Sequence, residues 1–128
     1  MRILLDTHVF LWLADSPGGL SATAASIVTD NSNEVFLSIV SIWELQIKVG
    51  TGKLDLSVPL RQMVREQTDT NNIQALPIEA DHIYALEGLP QIHKDPFDRL
   101  LIAQSIAETL PLLSSYSKFS GYPATVIW

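Results

Sequence analysis

The chain has 128 residues, 47% of them hydrophobic and 17% charged, which suits one folded domain over 1–128 rather than a disordered segment. It has no cysteine, which excludes a disulfide framework and any thiolate metal site and fits a reducing, cytoplasmic setting. With 14 acids against 8 bases and a net charge of −6, general basicity cannot hold nucleic acid, so any such contact must be local or use metal ions.

Residues 2–5 (RILL) are a short apolar run ending at Asp6 and read as a buried strand. HVFLWLADSP predicts a short helix ended near Ser16-Pro17, before a Gly-Gly turn. Residues 21–31 predict a helix with Ser21 as its N-cap. EVFLSIV at 34–40 is rich in branched and aromatic residues and predicts a second strand. Ser38 or Ser41 can then start a helix through IWELQIKV that stops at Gly50 or Gly52. Residues 57–70 are amphipathic, with Leu60, Met63, Val64 and Gln67 on one stripe, and IQAL at 73–76 is a third strand.

After Pro77, EADHIYALEGL predicts a helix, LPQIHK a loop, and DPFDRLLIAQSIAET the best-formed helix of the chain. PLLSS supplies a fourth strand and ATVIW a fifth. Strands that alternate with helices argue for an α/β layer fold, a mainly parallel central sheet flanked by helices. VFLSIVSIW, the longest mostly apolar run, is too short to span a bilayer, and no signal peptide is legible at the N-terminus.

Four acids stand out. Asp95 and Asp98 open the strongest helix, and with Pro96 as its first residue Asp95 is the N-cap. Asp98 gains from the positive end of the same helix, but two acids three residues apart repel each other, and a cation would relieve that. Asp6 stands just past a buried strand, where a plain reading is an Asx-turn or a helix cap. Glu44 lies among Ile42, Trp43, Leu45 and Ile47, where its plain reading is a wet helix face or an ion pair with Lys48.

Helices that connect parallel strands run against them, so their N-terminal ends lie beside the strands' carboxyl ends. Asp6 at a strand end, Glu44 in a first helical turn and Asp98 in another should therefore gather at one sheet edge. Such a cluster needs protons or a hard cation. All-oxygen ligands point to Mg²⁺ or Mn²⁺ rather than zinc, the metals of phosphoryl transfer. His8 and His93 can line that cleft, and His82 reads as a surface residue. No zinc motif, P-loop, GxGxxG or GxSxG is present.

LLDTHVFLW, SIWELQIKVGTGKL, HKDPFDRLLIAQS and the closing F-x-x-Y…VIW together resemble PIN domains, most closely VapC-type toxins of type II toxin–antitoxin modules, over essentially the whole chain. The resemblance implies a three-layer sandwich with a mainly parallel sheet. It also implies Mg²⁺- or Mn²⁺-dependent RNA cleavage that leaves a 5′-phosphate, with transfer RNA as a plausible substrate. It places the catalytic and metal-binding acids at Asp6, Glu44 and Asp98, with Glu44 orienting or deprotonating the water. Asp95 becomes a capping or water-bridged residue. Thr7 and Ser114 become supporting contacts, while Lys94 and Arg99, which flank the acids, read equally as guides for an RNA backbone or as solvated charge, and Arg61 and Arg65 as a more distant contact.

One departure stands in LLSSYSKF. Ser114 takes the Thr position and Tyr116 the Asp position of the family's T-x-D stretch, which removes a fourth acid and weakens any second metal. The resemblance further implies a cognate antitoxin and a homodimer. Phe10, Leu11 and Trp12 are candidates for an antitoxin groove, with core packing favoured for at least half of them. A catalytically weakened RNA- or antitoxin-binding module is the alternative function. A phosphoacceptor domain with Asp6 modified fits less well, because this chain has D-T-H where a D-x-D is expected.

Overall fold

A computed structural model describes residues 1–116 and 119–128. In chain order it contains β1 (Arg2–Leu5), α1 (Thr7–Asp15), α2 (Ala22–Thr29), β2 (Glu34–Ser38), α3 (Ile39–Gly50), α4 (Leu60–Asn71), β3 (Gln74–Leu76), α5 (Ala80–Tyr84), α6 (Pro96–Ala107), β4 (Leu112–Leu113) and β5 (Val126–Ile127). Short 3₁₀ turns follow α1 and α5. The five strands pair in the order β3-β2-β1-β4-β5, and every pairing is parallel. The sheet is thus wholly parallel where the sequence predicted a mainly parallel one.

Side chains on a strand alternate between faces, and here the alternation divides the core in two. Ile3, Leu5, Val35, Leu37 and Leu113 face one way and pack with Val9, Phe10, Val28, Leu45 and Met63 from α1 to α4. Leu4, Phe36 and Leu112 face the other way and pack with Leu101, Ile102 and Ala103 of α6. Helices cover both faces of the central sheet, as the layered reading expected. Among the described residues, no helix is long and apolar enough to cross a membrane.

Several boundaries differ from the sequence reading, α5 stopping at Tyr84 where a helix to residue 89 was expected, and two of them have a local physical cause. β2 ends at Ser38 rather than residue 40, because the Ser38 hydroxyl accepts the Val40 amide at 3.0 Å and caps α3 at once. The amphipathic helix begins at Leu60 rather than residue 57, since the residue before Pro59 is steered away from helical geometry. Its stripe still points inward: Leu60 and Met63 are buried, Val64 and Gln67 partly so. Phe10 is fully buried, while Leu11 and Trp12 are half-buried and pack on the first core cluster, so core packing claims most of that segment.

Candidate active site

Asp6 follows β1, which lies at the centre of the sheet. Its backbone takes the N-cap position of α1, but its side chain caps nothing. Instead Oδ2 accepts the Ser114 hydroxyl at 2.9 Å across the β1–β4 junction. Oδ1 is buried and has no hydrogen-bond partner among the described residues. A carboxylate only 1% exposed pays a desolvation penalty when charged, and this burial chiefly pushes Asp6 up from 3.8 to about 6. The Ser114 hydroxyl pulls it down, Asp98 pushes it up, the Thr7 amide pulls it down, and Glu44 adds a last push. Asp6 therefore feels both other acids, and the three lie within electrostatic reach at one sheet edge.

Glu44 is the sixth residue of α3, in its second turn rather than its first, because the helix starts at Ile39. It is 6% exposed, so the wet-face reading fails, while the predicted ion pair with Lys48 forms at 2.8 Å to Oε2. Thr7, at the start of α1, places its hydroxyl 3.0 Å from Glu44 Oε1 and 2.8 Å from the buried Ser41 hydroxyl. The bond to Glu44 is the main reason the Lys48 ammonium is held above its ordinary range, against the opposing effect of burial, with the charges of Glu44 and Asp95 adding to it. Lys48 is thus a cation already seated beside Glu44.

Asp98 is the third residue of α6 and is 6% exposed. Asp95 caps the helix as predicted: its Oδ1 accepts the amides of Phe97 at 2.9 Å and Asp98 at 3.1 Å. Asp95 sets the helix end, and the buried Asp98 lies close enough to push the Asp6 carboxyl up. His93 Nε2 approaches Asp98 Oδ2 at 3.5 Å.

The remaining expected contacts divide. Lys94 is exposed beside the cap. Arg99 donates Nη1 to the Pro90 carbonyl at 2.8 Å, so it ties down the preceding loop. Arg61 and Arg65 are exposed on α4, and Arg61 lines a surface groove with Ile42, Gln46, Leu60 and Val64. At the fourth-acid position, the Tyr116 hydroxyl lies 3.2 Å from His8 Nε2, and its amide bonds to Ser114 Oγ at 3.0 Å.

His82 corrects the sequence reading: it is 1% exposed, not a surface residue. With Glu79 and Glu108 it forms a group whose potential ligand atoms lie within 4.8 Å of one another. Its Nδ1 accepts the Glu79 amide at 3.0 Å and faces the Gln104 amide at 3.3 Å. That places the ring proton on Nε2, which meets Glu108 at 2.8 Å. Both nitrogens are committed, so this histidine ties α5 to α6 rather than offering a lone pair to a metal. Glu108 follows Asp98 by ten positions along α6, about 15 Å of helical rise, so the group stands apart from the acidic cleft.

The acidic cleft offers only oxygen donors, as hard cations require, and the buried Asp6 Oδ1 lacks a hydrogen-bond partner among the described residues, although its three acids do not converge as closely as Glu79, His82 and Glu108 do. Asp6, Asp98 and Glu44 are the residues that would hold the ion, with Lys48 vacating Glu44 or a water bridging to it. Sequence reasoning missed Ser41 and Tyr122 as contacts of the site, whereas the ion pair of Lys48 with Glu44 was expected from their i,i+4 spacing.

Residues 3–123 match the PIN domain family. Ribonuclease VapC22 of Mycobacterium tuberculosis (strain ATCC 25618 / H37Rv) is 27% identical over 105 residues, covering 81% of this chain and 78% of that protein. Among solved structures, VapBC2 from Rickettsia felis bound to a promoter DNA fragment aligns with a TM-score of 0.76 at 16% identity, over 99% of this chain and 98% of that one. FitAcB from Neisseria gonorrhoeae aligns with a TM-score of 0.64 at 18% identity, over 100% of this chain and 97% of that one. At these identities the structural likenesses speak for the fold.

Proposed function

We propose, from the premise that this chain belongs to the PIN domain family, that it is a metal-dependent endoribonuclease and the toxin of a toxin–antitoxin module. The observation that carries the chemistry is Asp6: a buried carboxylate with an unpartnered oxygen, pushed up to about 6, with Asp98 and Glu44 acting on it. The ribonuclease name of the mycobacterial relative supports RNA as the substrate. We read Asp6, Glu44 and Asp98 as both catalytic and metal-holding, and Mg²⁺ or Mn²⁺ as the ion.

A divalent cation bound there supplies Lewis acidity toward a phosphodiester and its water nucleophile. The chain's own groups do the rest. The Ser114 hydroxyl holds Asp6 in one orientation. Thr7 and Ser41 fix Glu44, which orients the attacking water or takes its proton. Lys48 stands at the same carboxylate with an ammonium that can pass to a backbone phosphate. Lys94, exposed beside the cap, is a further phosphate contact.

Solved toxin–antitoxin structures with this fold, from Klebsiella pneumoniae and Mycobacterium tuberculosis, support a cognate antitoxin as partner. A homodimer is carried over from the resemblance, and one face of α3 leaves Ile39, Trp43 and Ile47 more than a third exposed for such a contact. Transfer RNA as substrate and a cytoplasmic location belong to the same reading. The alternative, a weakened binding module, draws on Tyr116 standing at the fourth-acid position.

Incubating the purified protein with an RNA pool tests the two. The nuclease reading expects cleavage with Mn²⁺, none with EDTA and none after Asp98→Asn. An RNA pool left intact by wild type in Mn²⁺, with Asp6→Asn no different, overturns it in favour of the binding module.

A further inference from the structure

The loop before α6 brings His93 next to Asp98, and the C-terminal segment brings Tyr122 next to His93. Their rings meet edge to face, 5.4 Å between centroids at 70°. The Tyr122 hydroxyl oxygen receives the His93 backbone N–H at 3.2 Å and faces Arg99 Nη1 at 3.5 Å. Both of these groups can only donate. The same hydroxyl lies 2.7 Å from His93 Nδ1.

Hydrogen counting then fixes the tautomer of the neutral ring. A proton on Nδ1 would aim three donors at an oxygen with two lone pairs, and would leave the phenol hydrogen no acceptor there. With Nδ1 bare, the phenol donates to it and every contact of the hydroxyl is matched. The ring proton then sits on Nε2, which faces Asp98 Oδ2 at 3.5 Å, an ion-pair approach longer than a formed hydrogen bond. A carboxylate that holds a cation is commonly oriented by an outer donor of this kind.

We propose that Tyr122 and His93 form a positioning relay, in which the phenol locks the imidazole tautomer and the imidazole N–H orients the Asp98 carboxylate for a divalent cation. The relay rests on the metal reading of the cleft. Neither residue touches the reacting atoms; both act through Asp98. Tyr122 lies 24 positions after Asp98, so the pairing exists only in the fold.

Nitrogen-15 NMR of the histidine rings in metal-free protein at about pH 8, where an ordinary imidazole is neutral, reads the tautomer directly. The wild type should show His93 protonated on Nε2, and Tyr122→Phe should show mixed tautomers. Calorimetric titration with Mn²⁺ gives the second readout. His93→Ala should bind Mn²⁺ about 10- to 100-fold more weakly, while His93→Gln, which keeps an N–H donor, should retain most of the affinity. His93 has a partly exposed side chain on a loop, so its variants keep the test open even where Tyr122→Phe fails to fold. A wild-type ring protonated on Nδ1, or His93→Ala binding as tightly as wild type, overturns the relay alone. A wild type that binds no Mn²⁺ overturns the metal reading itself, and the relay with it.

Discussion

Replacing Asp6 by Asn should stabilise the metal-free protein while disabling it. The carboxyl is pushed from 3.8 to about 6 on folding, chiefly by burial. An acid whose folded pKa lies above its unfolded one stabilises the fold while protonated. That contribution is complete below about pH 4 and is lost as pH rises through about 6. Above this window the folded chain carries a buried charge, and about two pH units at about 1.4 kcal/mol each give a penalty of about 3 kcal/mol. Asparagine keeps the shape and a hydrogen-bonding group for Ser114 but never carries the charge. In EDTA near pH 8 the variant should therefore melt higher than wild type, by on the order of 10 °C for a domain of this size. Near pH 4 the two should nearly coincide. Thermal melts followed by tryptophan fluorescence at both pH values provide the assay. A variant less stable than wild type at pH 8, or a gap independent of pH, would refute the reasoning. Added Mn²⁺ should then raise the wild type and leave the variant unmoved.

Other outcomes follow from neighbouring contacts. Ser114→Ala removes the hydroxyl that holds Asp6 Oδ2, so the inflection in stability near pH 6 should move upward and the fold should lose about 1–3 kcal/mol, as for a buried bond broken on one side. Lys48→Met frees Glu44 from a half-exposed ion pair worth about 1 kcal/mol or less. Calorimetry should show Mn²⁺ binding tighter by up to about fivefold, and weaker binding would mean that Lys48 supports the ion instead of competing with it. Asp95→Ala removes a cap that accepts two amides and should cost about 1 kcal/mol in a urea melt. Asp98→Asn should remove cleavage with little loss of stability.

Local chemistry was the readable part of the sequence. Apolar runs marked β1, β2 and β3, and Asp95-Pro96 located the start of α6, because capping is decided within a few residues. The alternation of strands and helices alone implies that Asp6, Glu44 and Asp98 share one sheet edge. The end of β2 is a local departure: the branched Ile39 and Val40 look like strand, yet of the two serines able to start α3 it is Ser38 that caps it, which moves Glu44 into the second turn. What stayed hidden depends on partners far along the chain. Asp6 could be read as a cap until Ser114, 108 positions away, was seen to hold its carboxylate. His82 looked like a surface residue because Glu79, Gln104 and Glu108 surround it only in the fold. Tyr122 carried no sign of its bond to His93.

The position of a bound Mn²⁺, seen as anomalous scattering from a soaked crystal, tests the central claim most directly. The account predicts one strong peak among Asp6, Glu44 and Asp98, with Lys48 withdrawn from Glu44 or a water between ion and carboxylate. A peak at Glu79, His82 and Glu108 with none in the acidic cleft would contradict it.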